Sequence, residues 1–245
     1  MSLNNPSLSK LVGKQWLFKW KGFAGVFNSM VALQLLAIVF TWGGTGQSGT
    51  SMGNVSLSMS FYSTDTVVAL TMGWAFFSAI LITTKAYRND DFLFVTNRLS
   101  SNLANMLFLV SASVVAGLTA IISQYAIQMI QYVQGHTFIS STAPLALGEW
   151  LTGASATILY VLFFGAIGYL IGCITQMHRT LVVIVPVVLI GLLFIFSSFV
   201  PDVFSFFRFY FQEHTFWLFM IKMVGTILLL FLASILVSNR QEVIK

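Results

Sequence analysis

The sequence predicts an all-α integral membrane protein with six transmembrane helices, and three observations carry that expectation. Hydrophobic residues make up 57% of the 245-residue chain and charged residues only 8%, where a soluble domain carries about 25% charged residues. Mean hydropathy is +0.88. The apolar residues fall in long uncharged blocks, 181–200 being the clearest, and about 20 apolar residues in a helix cross the hydrocarbon layer. In lipid a helix satisfies its own backbone hydrogen bonds, whereas a barrel needs many short alternating strands, which these blocks do not show. The chain is expected to form one membrane domain, 1–245, with no soluble stretch long enough for a catalytic domain.

Taken in order, residues 7–21 (SLSKLVGKQWLFKWK) read as an amphipathic interfacial helix. At 100° per residue Leu8, Leu11, Val12, Trp16, Phe18 and Trp20 share a broad face, with Lys10, Lys14 and Lys21 opposite. Lys19 falls inside the apolar face, where its stem is expected to snorkel to the headgroups. Six apolar spans follow, at about 23–42, 66–84, 102–125, 150–173, 181–200 and 216–237. The first apolar run starts late and lacks the short core and small-residue site of a cleavable signal, so span one is expected to be retained.

Lysine and arginine in short loops favour the cytosolic side. Lys10, Lys14, Lys19 and Lys21 precede span one, Lys85, Arg88 and Arg98 lie between spans two and three, Arg179 lies between four and five, and Arg240 and Lys245 follow span six. All fall on one side. The opposite loops, 43–65 and 126–149, contain no Lys or Arg, leaving Arg208 in the last outer loop and Lys222 just inside span six. Both termini are therefore expected in the cytosol of a cell carrying this chain in its plasma membrane. The net charge of +5 is accounted for by topology and anionic lipid, without a nucleic-acid partner.

The outer loops differ in character. Residues 43–65 are rich in Gly and Ser and read as a flexible connector; the triplet Asn54, Val55, Ser56 matches a glycosylation sequon by letter only. Residues 126–149 include Pro144, Gly148 and Glu149 and leave room for a short interfacial helix. Residues 200–214 gather six aromatic residues around Asp202, Arg208 and Glu213, a composition suited to the headgroup layer.

Catalytic and metal constellations are absent. There is no P-loop, no H-E-x-x-H and no G-x-S-x-G. His136, His178 and His214 fall in different loops, and the single cysteine, Cys173, excludes an internal disulfide. Lys222 is the one clear charge within a span, two turns from the outer side. Snorkelling or an ion pair with Glu213 or Glu149 is favoured over a substrate role. Gly165, Gly168 and Gly172 place small residues on one face of span four, suiting either intramolecular packing or a subunit interface. Pro186 permits a kink in span five.

The segment between spans two and three carries the most functional information. Asp90 and Asp91 precede the apolar run Phe92, Leu93, Phe94 and Val95, and Arg98 follows. An exposed aromatic patch in a short cytosolic loop needs a partner or a membrane to cover it, so the segment reads as a docking knob for a soluble protein. With this loop, the basic amphipathic start and the aromatic segment before span six, the chain resembles the membrane subunit of an ABC-2 type ABC transporter. The resemblance covers nearly the full length. It places an interfacial helix at 7–21, a coupling helix at 88–101 and an outer re-entrant hairpin at 200–215. Family members often show Gly-Thr and Pro across the coupling loop; here there is no Gly-Thr, and Asn97 stands where Pro is expected.

The resemblance implies a permease of an ABC exporter that pairs with itself or with a homologous permease in the lipid. Two separate ATP-binding subunits would dock on Asp90, Asp91, Phe92, Phe94 and Arg98. The chain would have no ATPase site and hold no cofactor, ATP being bound by the partner subunit. Two rivals remain. A membrane scaffold or immunity protein fits the composition but gives the acid–aromatic–basic loop no purpose, and an intramembrane enzyme would need convergent polar residues within the spans. Peptide, lipid and drug are all open as substrates.

Overall fold

A computed structural model describes residues 8–42, 44, 46–52, 55–61, 63–84, 87, 98–134, 147–176, 209–210, 213 and 215–240, and of 46–52, 55–61 and 98 the backbone alone. These residues form six helices and one hairpin: α1 (Leu8–Gly22), α2 (Ala24–Thr41), β1 (Gly46–Met52), β2 (Val55–Phe61), α3 (Asp65–Thr83), α4 (Arg98–Val133), α5 (Leu147–Thr175) and α6 (Phe216–Arg240). Five of them, α2 to α6, are long and apolar enough to cross a membrane. They match the expected spans one, two, three, four and six. Span five, with Pro186, lies outside the described residues.

Helix α4 runs for 36 residues, well beyond the expected 102–125, and at 1.5 Å per residue is about 54 Å long. Its last turns, with Gln124, Gln128 and Gln131, break the apolar block without breaking the helix, because glutamine is a good helix former. Contacts with α2 fix the depth of α4 relative to it. Phe108 meets Phe23 and Phe27 at the start of α2, with ring centroids 5.5 and 5.9 Å apart, and Gln34 reaches Ala116 O at 3.1 Å near the middle. The residues from Arg98 to Met106 therefore extend past the start of α2 on the α1 side.

The connector between α2 and α3 departs from the sequence reading. It is an antiparallel hairpin, with Gly46 opposite Phe61, Thr50 opposite Leu57 and Met52 opposite Val55. Val55, Leu57, Met59 and Phe61 alternate with serines. That period of two is a strand signal, masked by the Gly and Ser content.

Helix α1 keeps the expected orientation, with Lys10, Lys14 and Lys21 exposed and Leu11, Val12, Trp16, Phe18 and Trp20 half-buried or buried, but it buries two polar residues on that side. Its buried residues are Val12, Gln15 and Lys19, while Leu8 and Leu17 are about half exposed. Lys19 is 1% exposed, so it does not snorkel; its Nζ lies 5.6 Å from the centre of the Phe23 ring. The cause is the seat of α1 on α4. Trp16 and Trp20 both donate from Nε1 to Ser111 Oγ, at 3.2 and 2.9 Å, and this fixes the helix rotation so that positions 15 and 19 turn inward.

The core lies between α3, α5, α4 and α6. Helices α3 and α5 run parallel, since Gly165 lies beside Ala75, Gly168 beside Phe76 and Gly172 beside Thr83. Polar clasps tie α2 in. Gln34 Nε2 donates to Thr71 Oγ1 at 3.2 Å as well as to Ala116 O, and Trp74 Nε1 donates to Ser29 Oγ at 3.0 Å and Val26 O at 3.2 Å.

Candidate functional site

Of the expected coupling residues, Asp90, Asp91, Phe92 and Phe94 lie outside the described residues, and Arg98 is the first residue of α4. The flanks of that segment are described, and they converge on one side chain. Phe23 is the hinge residue between α1 and α2, with φ −99° and ψ 31°, and it is 5% exposed. Its ring meets Tyr87, at the mouth of the segment, edge to face at 4.8 Å, and Phe108 of α4 at 5.5 Å. Edge-to-face pairs favour such spacings. One ring thus joins the α1–α2 elbow, the entry to the 88–97 segment and the helix that leaves it.

One turn into α4 a second contact carries the connection to α5. Tyr169 OH donates to Asn102 Oδ1 at 3.0 Å and accepts from Asn105 Nδ2 at 3.3 Å. All three residues are buried. Asn102 Nδ2 and Asn105 Oδ1 have no hydrogen-bond partner, which costs about 1–3 kcal/mol for each buried group. The sequence reading passed over these residues because single asparagines at the edge of a span are common. Their spacing of three, which puts both on one helix face, was the available signal.

The glycines of α5 pack within the chain, against α3. A Cβ on Gly168 would lie 2.3 Å from Phe76 O, and one on Gly172 would lie 2.2 Å from Thr83 Oγ1. Gly165 has ordinary contact, 3.9 Å to Ala75 Cβ. A further close approach was not read from the sequence: a Cβ on Gly117 of α4 would lie 2.6 Å from Ile158 Cγ1 of α5. It belongs with Ala112, Ala116 and Ala120, all buried, a small-residue face that lets helices approach closely.

At the end remote from α1, Phe209, Tyr210 and Glu213 are fastened to α5 and α6. Lys222 Nζ donates to Glu213 Oε2 and sits 4.1 Å from the centre of the Phe209 ring. Tyr160 OH donates to Tyr210 O at 3.0 Å, and the Tyr210 ring stacks on Phe163 at 5.4 Å. Glu149, the other candidate partner of Lys222, is exposed in the first turn of α5. The rest of the aromatic segment 200–215 lies largely outside the described residues.

Among the described residues no group of His, Cys, Asp and Glu could hold a metal ion, and Cys173 is buried near the end of α5. Comparison with protein-family models, curated proteins and solved structures yields no match.

Proposed function

We propose that the chain is the membrane-spanning permease of an ATP-driven ABC exporter, with α1 on the cytosolic face and separate ATPase subunits docked on the 88–98 segment. The single observation that carries this reading is the Phe23 junction. A push on the docked segment meets Tyr87 on one side, which touches the Phe23 ring directly, and Arg98 on the other, which leads to the same ring through Phe108, about three turns along α4. From there the displacement divides. It enters α1 and α2 through the elbow at Phe23, and α5 through the bond from Tyr169 to Asn102.

Support also comes from stiffness. A stroke is transmitted only by elements that move as units, and the bonds from Trp16 and Trp20 to Ser111 bind α1 to α4, while glycine contacts bind α5 to α3. Packed interfaces of this kind switch between discrete arrangements and do not deform continuously. The chain pairs with a second permease, and the two together enclose the substrate path. Affinity purification of the chain from its own membrane in mild detergent tests the reading: an ATPase with a Walker A motif co-purifies in stoichiometric amount. Recovery of the chain with no ATPase from membranes that contain one would refute it.

A further inference from the structure

The hairpin between α2 and α3, on the side of the membrane remote from α1, has no part in the proposed coupling. Its strands pair along 7 residues each, in a register that runs without a bulge from Gly46 opposite Phe61 to Met52 opposite Val55. Neither strand packs extensively on another described element, and among the described residues no third strand joins the sheet. A two-stranded hairpin by itself is marginally stable in water; further strands beside an apolar face, or a helix against it, are needed for independent stability. This hairpin has such a face. By the period of two, Val55, Leu57, Met59 and Phe61 fall on one side of β2.

The edge of β2 away from β1 is unprotected as well. Edge strands that stay single carry a charge or a proline, bend at a bulge, or are very short. β2 (VSLSMSF) has none of these devices, and residues 43–64 contain no Asp, Glu, Lys or Arg. Charge decides the kind of partner. A strand that pairs with its own copy sets every charge near an identical one, and like charges opposite each other are destabilising. An uncharged strand escapes that cost. A lipid surface would cover the apolar positions but pair none of the backbone groups along the edge.

From this we infer that β2 pairs edge to edge with β2 of a second copy of this chain, forming a four-stranded antiparallel sheet. The inference rests on the reading that two permeases pair, and it makes the two identical. Copies inserted in the same direction are related by a two-fold axis along the membrane normal. Antiparallel pairing about that axis lays the joint sheet across it, parallel to the membrane, with the apolar positions of both hairpins on one face. The chain turns off the end of α2 at Gly44, whose φ is 89° and whose N–H bonds to Thr41 O at 3.0 Å, so the hairpin leaves the direction of the helix. Overlap of the whole strand centres the register on Ser58, which then lies opposite its own copy, with Ser56 opposite Ser60 and Leu57 opposite Met59.

Cysteines placed in β2 test this register in intact membranes. The native Cys173 is buried, and the unmodified chain serves as the blank. Under copper–phenanthroline oxidation, Ser58→Cys should give a disulfide-linked dimer. Ser56→Cys and Ser60→Cys, each expressed singly, should give about tenfold less, because each lies about 13 Å along the strand from its own copy, beyond disulfide reach. Expressed together, those two variants should cross-link to each other. Adding Ser58→Lys to both sets like charges opposite and should lower that yield by up to about fivefold. Absence of the Ser58 dimer, as for a hairpin lying on lipid or beside a different permease, would overturn the pairing. So would cross-links at Ser56 or Ser60 alone as strong as at Ser58. Co-purification of the ATPase is scored separately on the same membranes, so the pairing can fail while the exporter reading stands.

Discussion

Replacing Gly168 by alanine tests the packing of α3 on α5 most sharply. The added methyl would lie 2.3 Å from Phe76 O and 3.0 Å from Phe76 C and Cα. These are backbone atoms of a helix, so relief requires the two helices to separate or slide. Overpacking of this type costs about 1–3 kcal/mol, against a gain of up to about 1 kcal/mol in helix propensity from glycine to alanine. Subtracting that gain in full leaves a net loss of about 0–2 kcal/mol, a fall in Tm of up to roughly 8 °C for a chain of this size. Gly165→Ala is the internal control. Its methyl meets Ala75 at 3.9 Å, an ordinary contact, so only the propensity gain remains and Tm should hold or rise slightly. Gly172→Ala is intermediate in kind, because the obstacle is the Thr83 side chain, whose hydroxyl bonds back to Ile80 O. Thr83→Ala should therefore restore part of the loss at Gly172 and none at Gly168. Thermal unfolding of the purified variants in one detergent measures all of these. Equal Tm values for Gly165→Ala and Gly168→Ala would refute the packing.

Two further outcomes follow from the described contacts and a third from the charge pattern of the sequence. Gln34→Leu should lower stability by about 1 kcal/mol, in the range of interhelical hydrogen bonds in membranes, and Thr71→Val by less, since Gln34 keeps its bond to Ala116 O; a larger effect at Thr71 would contradict the clasp. In a double-mutant cycle of Lys222→Met and Glu213→Gln, followed by thermal unfolding, the coupling energy should exceed about 0.5 kcal/mol, and additive single effects would dissolve the pair. Reporters fused after Asn54 and Gly135 should face outside, and those after Asn89, His178 and Lys245 the cytosol, because the Lys and Arg residues gather on one side; a cytosolic reporter at Gly135 would overturn the six-span topology.

The spans were legible in the sequence wherever a block of apolar residues ended in charge, as at Lys85 or Arg240. They were less legible where polarity grew gradually. The glutamines of α4 lower hydropathy while continuing the helix, so hydropathy alone cut it short at residue 125. The hairpin was hidden for the opposite reason: Gly and Ser dominate its composition, but Val55, Leu57, Met59 and Phe61 hold the alternation. The glycines of α5 announced a close approach without naming the helix that makes it, because spacing on one helix says nothing of its partner. Lys19 was legible as part of the apolar face of α1 but not as buried, because the pattern of one helix does not show the seat on α4 that the two Trp–Ser hydrogen bonds fix. Tyr169, Asn102 and Asn105 come together only in three dimensions.

The proposed coupling rests most directly on Phe92 and Phe94. Aromatic anchors seated in a partner's pocket commonly contribute about 2 kcal/mol or more each, and flanking charges mainly tune encounter. The deciding measurement is the binding of the co-purifying ATPase to the Phe92→Ala, Phe94→Ala double variant in nanodiscs, with Tm recorded alongside. Binding should fall by at least about a hundredfold with Tm unchanged, while Asp90→Ala and Arg98→Ala each reduce it less. A double variant that binds the ATPase as tightly as the unmodified chain would contradict the coupling assignment.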